Sequence, residues 1–356
     1  MTVSESLSAQ DVVAEPGGAG PGSLGEDRDA RIGTSFGRYA ARKVGGAVVS
    51  LVMVVLLGFF AFRVLPGDPV ATMTRGKVMS AQQLATLKRQ LGLDRSLMAQ
   101  FWIYLRDLPQ GKLGTSYSFR RPVTEIIAEH LVPTLLLMGI SAVIAIVLGL
   151  WVGQKSAWVR DSLFDRGNTA VALILWSVPT FWLGLLLLLV FGGTLHVLPT
   201  GGMQTAGSTA TGLVHVWDVA RHLVLPVITM VAVTYAQYLL VMRASLLEEM
   251  HEPYLTTARG KGLREDLVRR RHAVPNALLP TVTLVFLHLG TLVAGAVTVE
   301  TVFSWPGLGY LTYQALTGPD LPLLQGTFVV FSTIVILMNL IADLLYRFLD
   351  PRVRAA

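Results

Sequence analysis

Six long apolar runs set the strongest constraint on how this chain folds. Each run is long enough for a helix to cross a lipid bilayer, which takes about 20 predominantly apolar residues. The predicted spans are 44–64, 131–152, 169–191, 223–242, 282–303 and 326–348. Only 15% of the 356 residues are charged, whereas ordinary soluble domains have about 25%. The sequence therefore predicts an all-α integral membrane protein with six transmembrane helices.

Basic residues in the short loops predict the orientation of these spans, because cytoplasmic loops are enriched in Lys and Arg. Lys155, Arg160 and Arg166 follow the second span, whereas the loop after the third span contains only Arg221. Both termini and the polar segment after the fourth span are then cytoplasmic. The loop after the first span is basic as well, but long loops cross largely regardless of charge. We therefore place that loop outside.

The spans divide the chain into five segments. Residues 1–37 are predicted to be a disordered, acidic cytoplasmic tail, because they contain too few large apolar side chains to form a core. The other predicted segments are 38–64 as the first transmembrane helix, 65–130 as an extracytoplasmic helical loop, 131–350 as a five-helix core with a cytoplasmic loop at 248–280, and 351–356 as a cytoplasmic C-terminus.

Local signals predict several helix boundaries and contacts. Ser80 and Gln83 have the spacing of a capping box, so a helix is expected to begin there, and a second amphipathic helix is expected at 96–108. Gly149 and Gly153 form a G-x-x-x-G pair, which favours either a close helix contact or a surface facing lipid. Prolines mark further ends or kinks at Pro133, Pro179, Pro226 and Pro280.

Catalytic and metal-binding motifs are missing from the sequence. The chain has no cysteine, which excludes disulfides and thiolate metal sites. The stretch "HEPYL" lacks the second histidine of H-E-x-x-H, and "GKL" lacks the rest of a nucleotide-binding loop. We therefore predict no catalytic residue, no metal site and no cofactor in this chain. The net charge of +6 comes without a basic patch interleaved with aromatic residues, so nucleic acid is not an expected partner.

Ionisable residues within the predicted spans include His288, Glu300 and Asp343, for which facing lipid would be costly. His288 is expected either to line a path through the bundle or to pack as a hydrogen-bonded histidine. Glu300 and Asp343 favour structural roles between helices, although Glu300 is also a candidate for the pathway or a gate.

The most polar segment of the chain runs from Glu248 to Pro280. Pro253 suits the first turn of a short helix, and Gly262 suits its end. A second helix is expected to return to the membrane and to be broken at Pro275 and Pro280. A short helix held between two helical arms is a rigid projection, which favours docking to another protein. Its predicted exposed side chains are Tyr254, Thr257, Arg259 and Lys261. The alternative is a solvated loop whose basic residues touch anionic lipid.

This polar segment resembles the EAA loop of permeases of ABC importers, with the pattern E-A-A, three residues, Gly, nine residues and I-x-L-P. Gly262 and Pro275 occupy the glycine and proline positions, and of the three E-A-A positions only Ala258 matches. Gly260 departs from the usual alanine. The stretches "GKLGTSY", "SVPTFWLG", "RHAVPNALLP" and "VETVFSWPGLG" resemble motifs of the dipeptide, oligopeptide and nickel branch, in the expected order. The chain is most similar to the first permease of such a pair, which has a long outer loop.

The resemblance implies a type I ABC-importer permease fold in the inner (plasma) membrane and a transporter subunit without catalysis of its own. It implies as partners a second homologous permease, two ATPase subunits that bind ATP and Mg²⁺, an extracytoplasmic substrate-binding protein and the lipid bilayer. The ATPase-docking residues it implies are Pro253, Tyr254, Thr257, Ala258, Arg259, Lys261, Gly262 and Pro275. Di- or oligopeptides are the first choice of substrate. The alternatives are nickel or another small solute, or else a membrane scaffold or enzyme without ATPase partners.

Overall fold

The computed structural model describes residues 23–64, 80–90 and 92–349. The described residues up to Gly46 belong to one compact unit and those from Ala47 onward to a second, and all the packing below lies within the second. Within these ranges the chain is helical, and its β-structure is limited to one isolated bridge between Thr115 and Pro122. The predicted all-α class is confirmed.

The N-terminal part contains three helices. They are α1 (Ser23–Val64), α2 (Ala81–Gln90) and α3 (Leu97–Asp107). The capping box is present, since Ser80 N–H donates to Gln83 Oε1 at 2.9 Å and Gln83 N–H donates to Ser80 Oγ at 3.2 Å. The predicted second helix of this segment is α3, with Ser96 at its N-cap.

The start of α1 corrects the predicted tail. The helix begins at Ser23, so residues 23–37 are helical rather than disordered. No proline occurs between Pro21 and Pro66, so no proline interrupts the helix between the first span and this polar stretch. The rest of the predicted tail, residues 1–22, lies outside the described residues, as do residues 65–79 of the predicted outer loop and the predicted C-terminal segment 351–356.

The C-terminal part contains the apolar helices. They are α4 (Val123–Trp158), α5 (Leu163–Ser177), α6 (Thr180–Leu187) with a π-helical extension (Leu188–Thr194), α7 (Gly212–Glu249), α8 (Pro253–Gly260), α9 (Glu265–Val268), α10 (Val274–Val302), α11 (Leu308–Thr317) and α12 (Leu321–Leu349).

Among the described residues, four helices are long and apolar enough to cross a membrane. These segments are Gly37–Arg63 of α1, the whole of α4, the whole of α7, and Leu321–Leu345 of α12. The pair α5–α6 gives a fifth span if its two bent halves are counted as one. The predicted span 282–303 falls almost entirely within α10, whose central side chains lie outside the described part of the chain. The total of six spans therefore stays a prediction.

The third predicted span is not one continuous helix. Its two halves are bent by 102° at the break between α5 and α6. Pro179 causes this break, because the residue before a proline is driven out of the helical conformation. Val178 is extended, with φ −79° and ψ 130°. The predicted end or kink at Pro179 is confirmed.

By contrast, the predicted break at Pro275 and Pro280 is wrong. Pro275 lies in the first turn of α10 and Pro280 lies inside it, and the helix continues to Val302. A π-helical turn at Arg269–Ala273 precedes Pro275. The first turn of a helix tolerates a proline, because the amide hydrogen there has no partner within the helix.

The two glycines of the G-x-x-x-G pair lie where α4 packs against α7. A Cβ atom added at Gly149 would lie 2.6 Å from the Cβ of Tyr238, and one added at Gly153 would lie 2.5 Å from the carbonyl oxygen of Leu239. Both separations are too short for any side chain. The close contact between α4 and α7 therefore requires glycine at both positions, and the lipid-facing alternative does not hold.

A buried carboxylate connects the "GKLGTSY" stretch to the start of α12. Asp320 is fully buried; it accepts hydrogen bonds from the Ser116 hydroxyl, from Ser118 N–H at 2.9 Å and from Leu323 N–H at 3.3 Å. It thus caps the N-terminus of α12 and holds a loop more than 200 residues earlier in the chain against it. This pairing positions the ends of two predicted spans relative to each other.

Candidate functional site

The short helix α8 forms where the polar segment predicted it. Glu252 is its extended N-cap, Pro253 occupies its first turn, and Gly262 follows its C-terminus with φ +79°. Positive φ is strained for residues with a Cβ, so Gly262 supplies the conformation that turns the chain out of the helix. Lys261 N–H donates to the Thr257 carbonyl at 3.1 Å, which closes the last turn. The predicted beginning and end of this helix are confirmed.

One face of α8 is buried against its two helical arms. Leu255 is fully buried and Ala258 is 6% exposed. They belong to an apolar cluster, the α8 seat, with Ala157, Met242, Leu246, Leu255, Ala258, Val268, Ala273 and Ala277 as its buried members. This seat joins α8 to the ends of α4 and α7 and to the beginning of α10. Burial of a leucine side chain stabilises such a contact by about 1.5–3 kcal/mol.

Tyr254 adds a polar connection between α8 and both arms. Its hydroxyl donates to the Glu249 carboxylate at the end of α7 and accepts from Asn276 Nδ2 in the first turn of α10, at 2.8 Å. Burial, and secondarily the hydrogen bond to Glu249, raises the pKa of Tyr254 to about 12. The phenol therefore stays protonated at neutral pH and keeps donating. Tyr254 is half-buried and supports the helix, rather than standing on its exposed side as predicted.

The opposite side of α8 is open. The exposed face of α8 consists of Thr256, Thr257, Gly260 and Lys261. Arg259 lies at its edge, with its side chain 36% exposed and its Nε donating to Glu265 Oε1 of α9 at 2.9 Å. Of the predicted docking residues, Thr257 and Lys261 are thus on the exposed face, whereas Ala258 faces the seat. Pro253 and Gly262 delimit the helix, and Pro275 lies in the first turn of α10.

An ion pair that the sequence did not reveal braces the arm formed by α7. Arg243 donates to both carboxylate oxygens of Asp165, at 2.7 and 2.8 Å, and Asp165 is almost fully buried. Asp165 also accepts from the backbone N–H of Asp161 at 3.0 Å, just before α5. A bidentate pair of this kind fixes orientation as well as distance. It holds the N-terminus of α5 against α7, one turn before Leu246 of the seat.

The two candidates for the pathway have different outcomes. Glu300 is fully buried; it accepts from the Thr134 hydroxyl at 2.7 Å and from the N–H groups of Gly309 and Tyr310 at 2.7 and 3.1 Å. It caps α11, which is a structural role between helices, and its candidacy for the pathway or a gate stays a prediction. The side chain of His288 lies outside the described part of the chain, so its role stays a prediction.

The described residues contain no group of three or more His, Asp or Glu side chains arranged to hold a metal ion.

Comparison with known families identifies the kind of protein to which this arrangement belongs. Residues 126–355 match the family described as the inner-membrane component of binding-protein-dependent transport systems, and residues 36–138 match the N-terminal part of such membrane components. The chain belongs to this family. It is a multi-pass inner-membrane permease subunit of an ABC importer, and the family is a non-catalytic membrane component.

Curated relatives extend over nearly the same length. A dipeptide transport system permease from Alkalihalophilus pseudofirmus is 34% identical over 330 residues, covering 89% of this chain and 99% of that protein. A glutathione transport system permease from Pectobacterium atrosepticum is 37% identical over 316 residues, covering 89% of this chain and 98% of that protein. The resemblance drawn from the sequence motifs is confirmed.

A solved structure shares the fold. It is the MetNI methionine ABC transporter in an inward-facing conformation, with a TM-score of 0.51 and 19% sequence identity. The match covers 63% of this chain and 96% of the solved chain.

Proposed function

We propose that this chain is one of two permease subunits of an ATP-driven importer for di- or oligopeptides, and that α8 docks one ATPase subunit. The arrangement of α8 carries the docking proposal: it is a short helix with one face packed into the α8 seat and the other open. Relatives named for dipeptide and glutathione transport support a peptide substrate. The second permease, a second ATPase and an extracytoplasmic substrate-binding protein complete the proposed assembly.

Transmission of force follows from how α8 is held. Leu255 anchors the helix in the seat, and Tyr254 bonds to Glu249 of α7 and Asn276 of α10. A displacement of the exposed face therefore moves the ends of both long helices together. When the ATPase subunits close on ATP and Mg²⁺, the two membrane halves change their tilt. Since coupling between two sites is reciprocal in free energy, a loaded receptor docked outside promotes closure of the ATPase subunits.

The exposed face of α8 gives a direct test. The transporter is purified through this chain after co-expression with the proposed partners, and ATP hydrolysis is measured with and without the loaded receptor. Thr257→Asp combined with Lys261→Glu changes only exposed side chains. We expect this variant to remain folded, to lose most of the co-purified ATPase and to lose the stimulation by the receptor.

Arg166→Glu is the matched control. Arg166 is an exposed cation near the N-terminus of α5, on the same predicted side of the membrane. Arg166 does not belong to the α8 seat. We therefore expect this charge reversal to leave ATPase binding and stimulation by the receptor unchanged. Normal ATPase binding by the α8 variant, or an equal loss in the control, contradicts docking through α8.

A further inference from the structure

A polar pocket lies at the other end of the spans from α8. It has a volume of about 360 Å³ and is formed by the end of α1, the turn after α2, α3, the "GKLGT" stretch and the start of α12. Four basic residues contribute to its lining: Arg63, Arg89, Arg95 and Lys112. None of these residues takes part in the α8 seat.

The charge of this pocket is strongly positive. Among its described lining residues the only acid is Asp107, whose carboxylate is already paired with Arg106 outside the pocket, at 3.0 Å. Lys112 donates to the neutral side chain of Gln110 at 2.8 Å, so its charge is not compensated there. A concave surface with several cations and one paired carboxylate favours an anionic ligand.

Two buried donors at the base of the pocket lack acceptors. Gln325 is only 7% exposed, and its Nε2 makes no hydrogen bond of normal geometry within the described part of the chain, although the Tyr104 hydroxyl lies near its side chain. The Nε of Arg63 is also buried without a partner, whereas another part of its guanidinium bonds to the Tyr117 hydroxyl. Buried donors are nearly always paired in folded proteins. Two unpaired donors lining one cationic pocket indicate that an oxyanion completes the site.

The pocket lies near the surface of the bilayer. Arg63 ends the apolar segment Gly37–Arg63, and Gln325 lies in the first turns of the segment Leu321–Leu345. The pocket is therefore level with the ends of two membrane-spanning helices, where lipid headgroups lie. Trp102 of α3, which precedes the lining residue Ile103 in the chain, is 66% exposed, and exposed tryptophan is typical of this interfacial depth.

Apolar side chains also lie on α1 closer to the centre of the membrane, beyond Phe59, which α3 covers. Val49, Val52 and Leu56 precede Arg63 by 14, 11 and 7 residues, so they lie on the same face of α1. Val49 and Val52 are 63% and 50% exposed. A molecule with an anionic head and long apolar chains matches both the pocket and this face.

We propose that the pocket binds the phosphate group of an anionic phospholipid, whose acyl chains lie along the Val49–Val52–Leu56 face of α1. Arg63 and Gln325 donate to the phosphate oxygens at the base, while Arg89, Arg95 and Lys112 surround the headgroup. The bound lipid joins the outer ends of α1 and α12 to α3. This inference rests on the membrane spans and not on ATPase docking, so either proposal stands without the other.

Lipid retention by the purified transporter tests the proposal. The transporter is taken from nanodiscs of phosphatidylglycerol and phosphatidylcholine, and retained lipid is counted by native mass spectrometry. Arg95→Gln and Lys112→Gln alter exposed side chains; each is expected to weaken phosphatidylglycerol binding about fivefold, because a basic residue near an anionic lipid surface contributes about that factor. Arg120→Gln is the control, since Arg120 is exposed in the same segment but does not line the pocket.

Gln325→Leu separates binding from folding. It removes the unpaired buried donor at similar volume, so we expect weaker lipid retention with an unchanged or higher melting temperature. Retention equal to that of Arg120→Gln in all pocket variants overturns the proposal. Binding of inorganic phosphate by a transporter that retains no lipid also overturns it, because the pocket is then a site for a free anion. Pocket variants that lose receptor binding but retain lipid normally overturn it as well, because the pocket is then a site for the receptor.

Discussion

Glu300 shows how one buried side chain accounts for a whole sequence motif. Its carboxylate accepts from the Thr134 hydroxyl of α4 and from two N–H groups at the start of α11. A Cβ atom at Gly307 would lie 2.3 Å from this carboxylate, and one at Gly309 would lie 2.5 Å from the Cα of Val297. The "VETVFSWPGLG" stretch therefore needs its glutamate to cap α11 and its glycines to let the backbone approach.

Removal of this carboxylate is expected to destabilise the protein. Glu300→Ala leaves the N–H groups of Gly309 and Tyr310 buried without an acceptor, at a cost of about 1–3 kcal/mol for each unpaired group. Glu300→Gln keeps an acceptor oxygen and is expected to lose less. Thermal unfolding in detergent gives the comparison. A melting temperature of Glu300→Ala equal to that of the native chain shows that the capping contacts do not contribute.

Glycine at the contact between α4 and α7 leads to a second prediction. Gly153→Ala places a methyl group against the Leu239 carbonyl, so the two helices must separate, and overpacking of this kind costs about 1–3 kcal/mol. Gly139→Ala is the matched control on α4, because a Cβ atom there meets nothing within 4 Å. Folded yield and thermal stability are expected to fall for Gly153→Ala only. Equal stability of the two variants contradicts the close contact.

The α8 seat leads to a prediction about the local stability of α8. Leu255→Ala creates a cavity in the α8 seat at a cost of about 2–5 kcal/mol, whereas the neighbouring Thr256→Ala alters only the exposed face. Hydrogen exchange of the amides of Lys261 and Gly262, which close the last turn of α8, is expected to accelerate in Leu255→Ala. Thr256→Ala is expected to exchange at the native rate. Unchanged exchange in Leu255→Ala indicates that the seat does not hold the helix.

Local signals predict α8 well but not the contacts that support it. Pro253 and Gly262 mark its ends because their backbone preferences act within a few residues. The sequence predicts Tyr254 on the exposed side, because its partner Asn276 lies 22 residues away in the chain and helical periodicity gives no information about such a pair. The bond between Ser116 and Asp320, which are 204 residues apart, was beyond prediction for the same reason.

Prolines also show what could not be predicted from the sequence about the long helices. Pro179 interrupts the third predicted span, whereas Pro226 lies within α7 and Pro280 lies within α10 without ending either helix. In membrane helices, neighbouring helices and side chains can satisfy the backbone groups that a proline leaves unpaired. The residue type therefore marks a possible break, and packing decides whether it occurs. Hydrophobic segments were predictable from the sequence, but their continuity was not.

At the scale of the whole molecule, the two ends of the bundle have different chemistry. The α8 seat connects an exposed helical face to α4, α7 and α10, whereas the cationic pocket connects α1, α3 and α12 at the opposite end. The ATPase-docking proposal depends on which side of the membrane α8 faces. The distribution of Lys and Arg predicts that α8 faces the cytoplasm and that the pocket faces outside, and this orientation can be measured directly.

The absence of cysteine makes the chain a ready template for that measurement, because any introduced thiol is unique. Arg120→Cys lies near the pocket, Lys261→Cys lies on the exposed face of α8, and Arg166→Cys reports the α8 side away from the proposed ATPase contact. With a membrane-impermeant maleimide, we expect Arg120→Cys to react in intact cells and Arg166→Cys to react only after permeabilisation. Without ATPase subunits, Lys261→Cys is expected to react only after permeabilisation, like Arg166→Cys. With ATPase subunits present, Lys261→Cys is expected to stay unlabelled. Labelling of Arg166→Cys in intact cells reverses the orientation and excludes a cytoplasmic ATPase as the partner of α8.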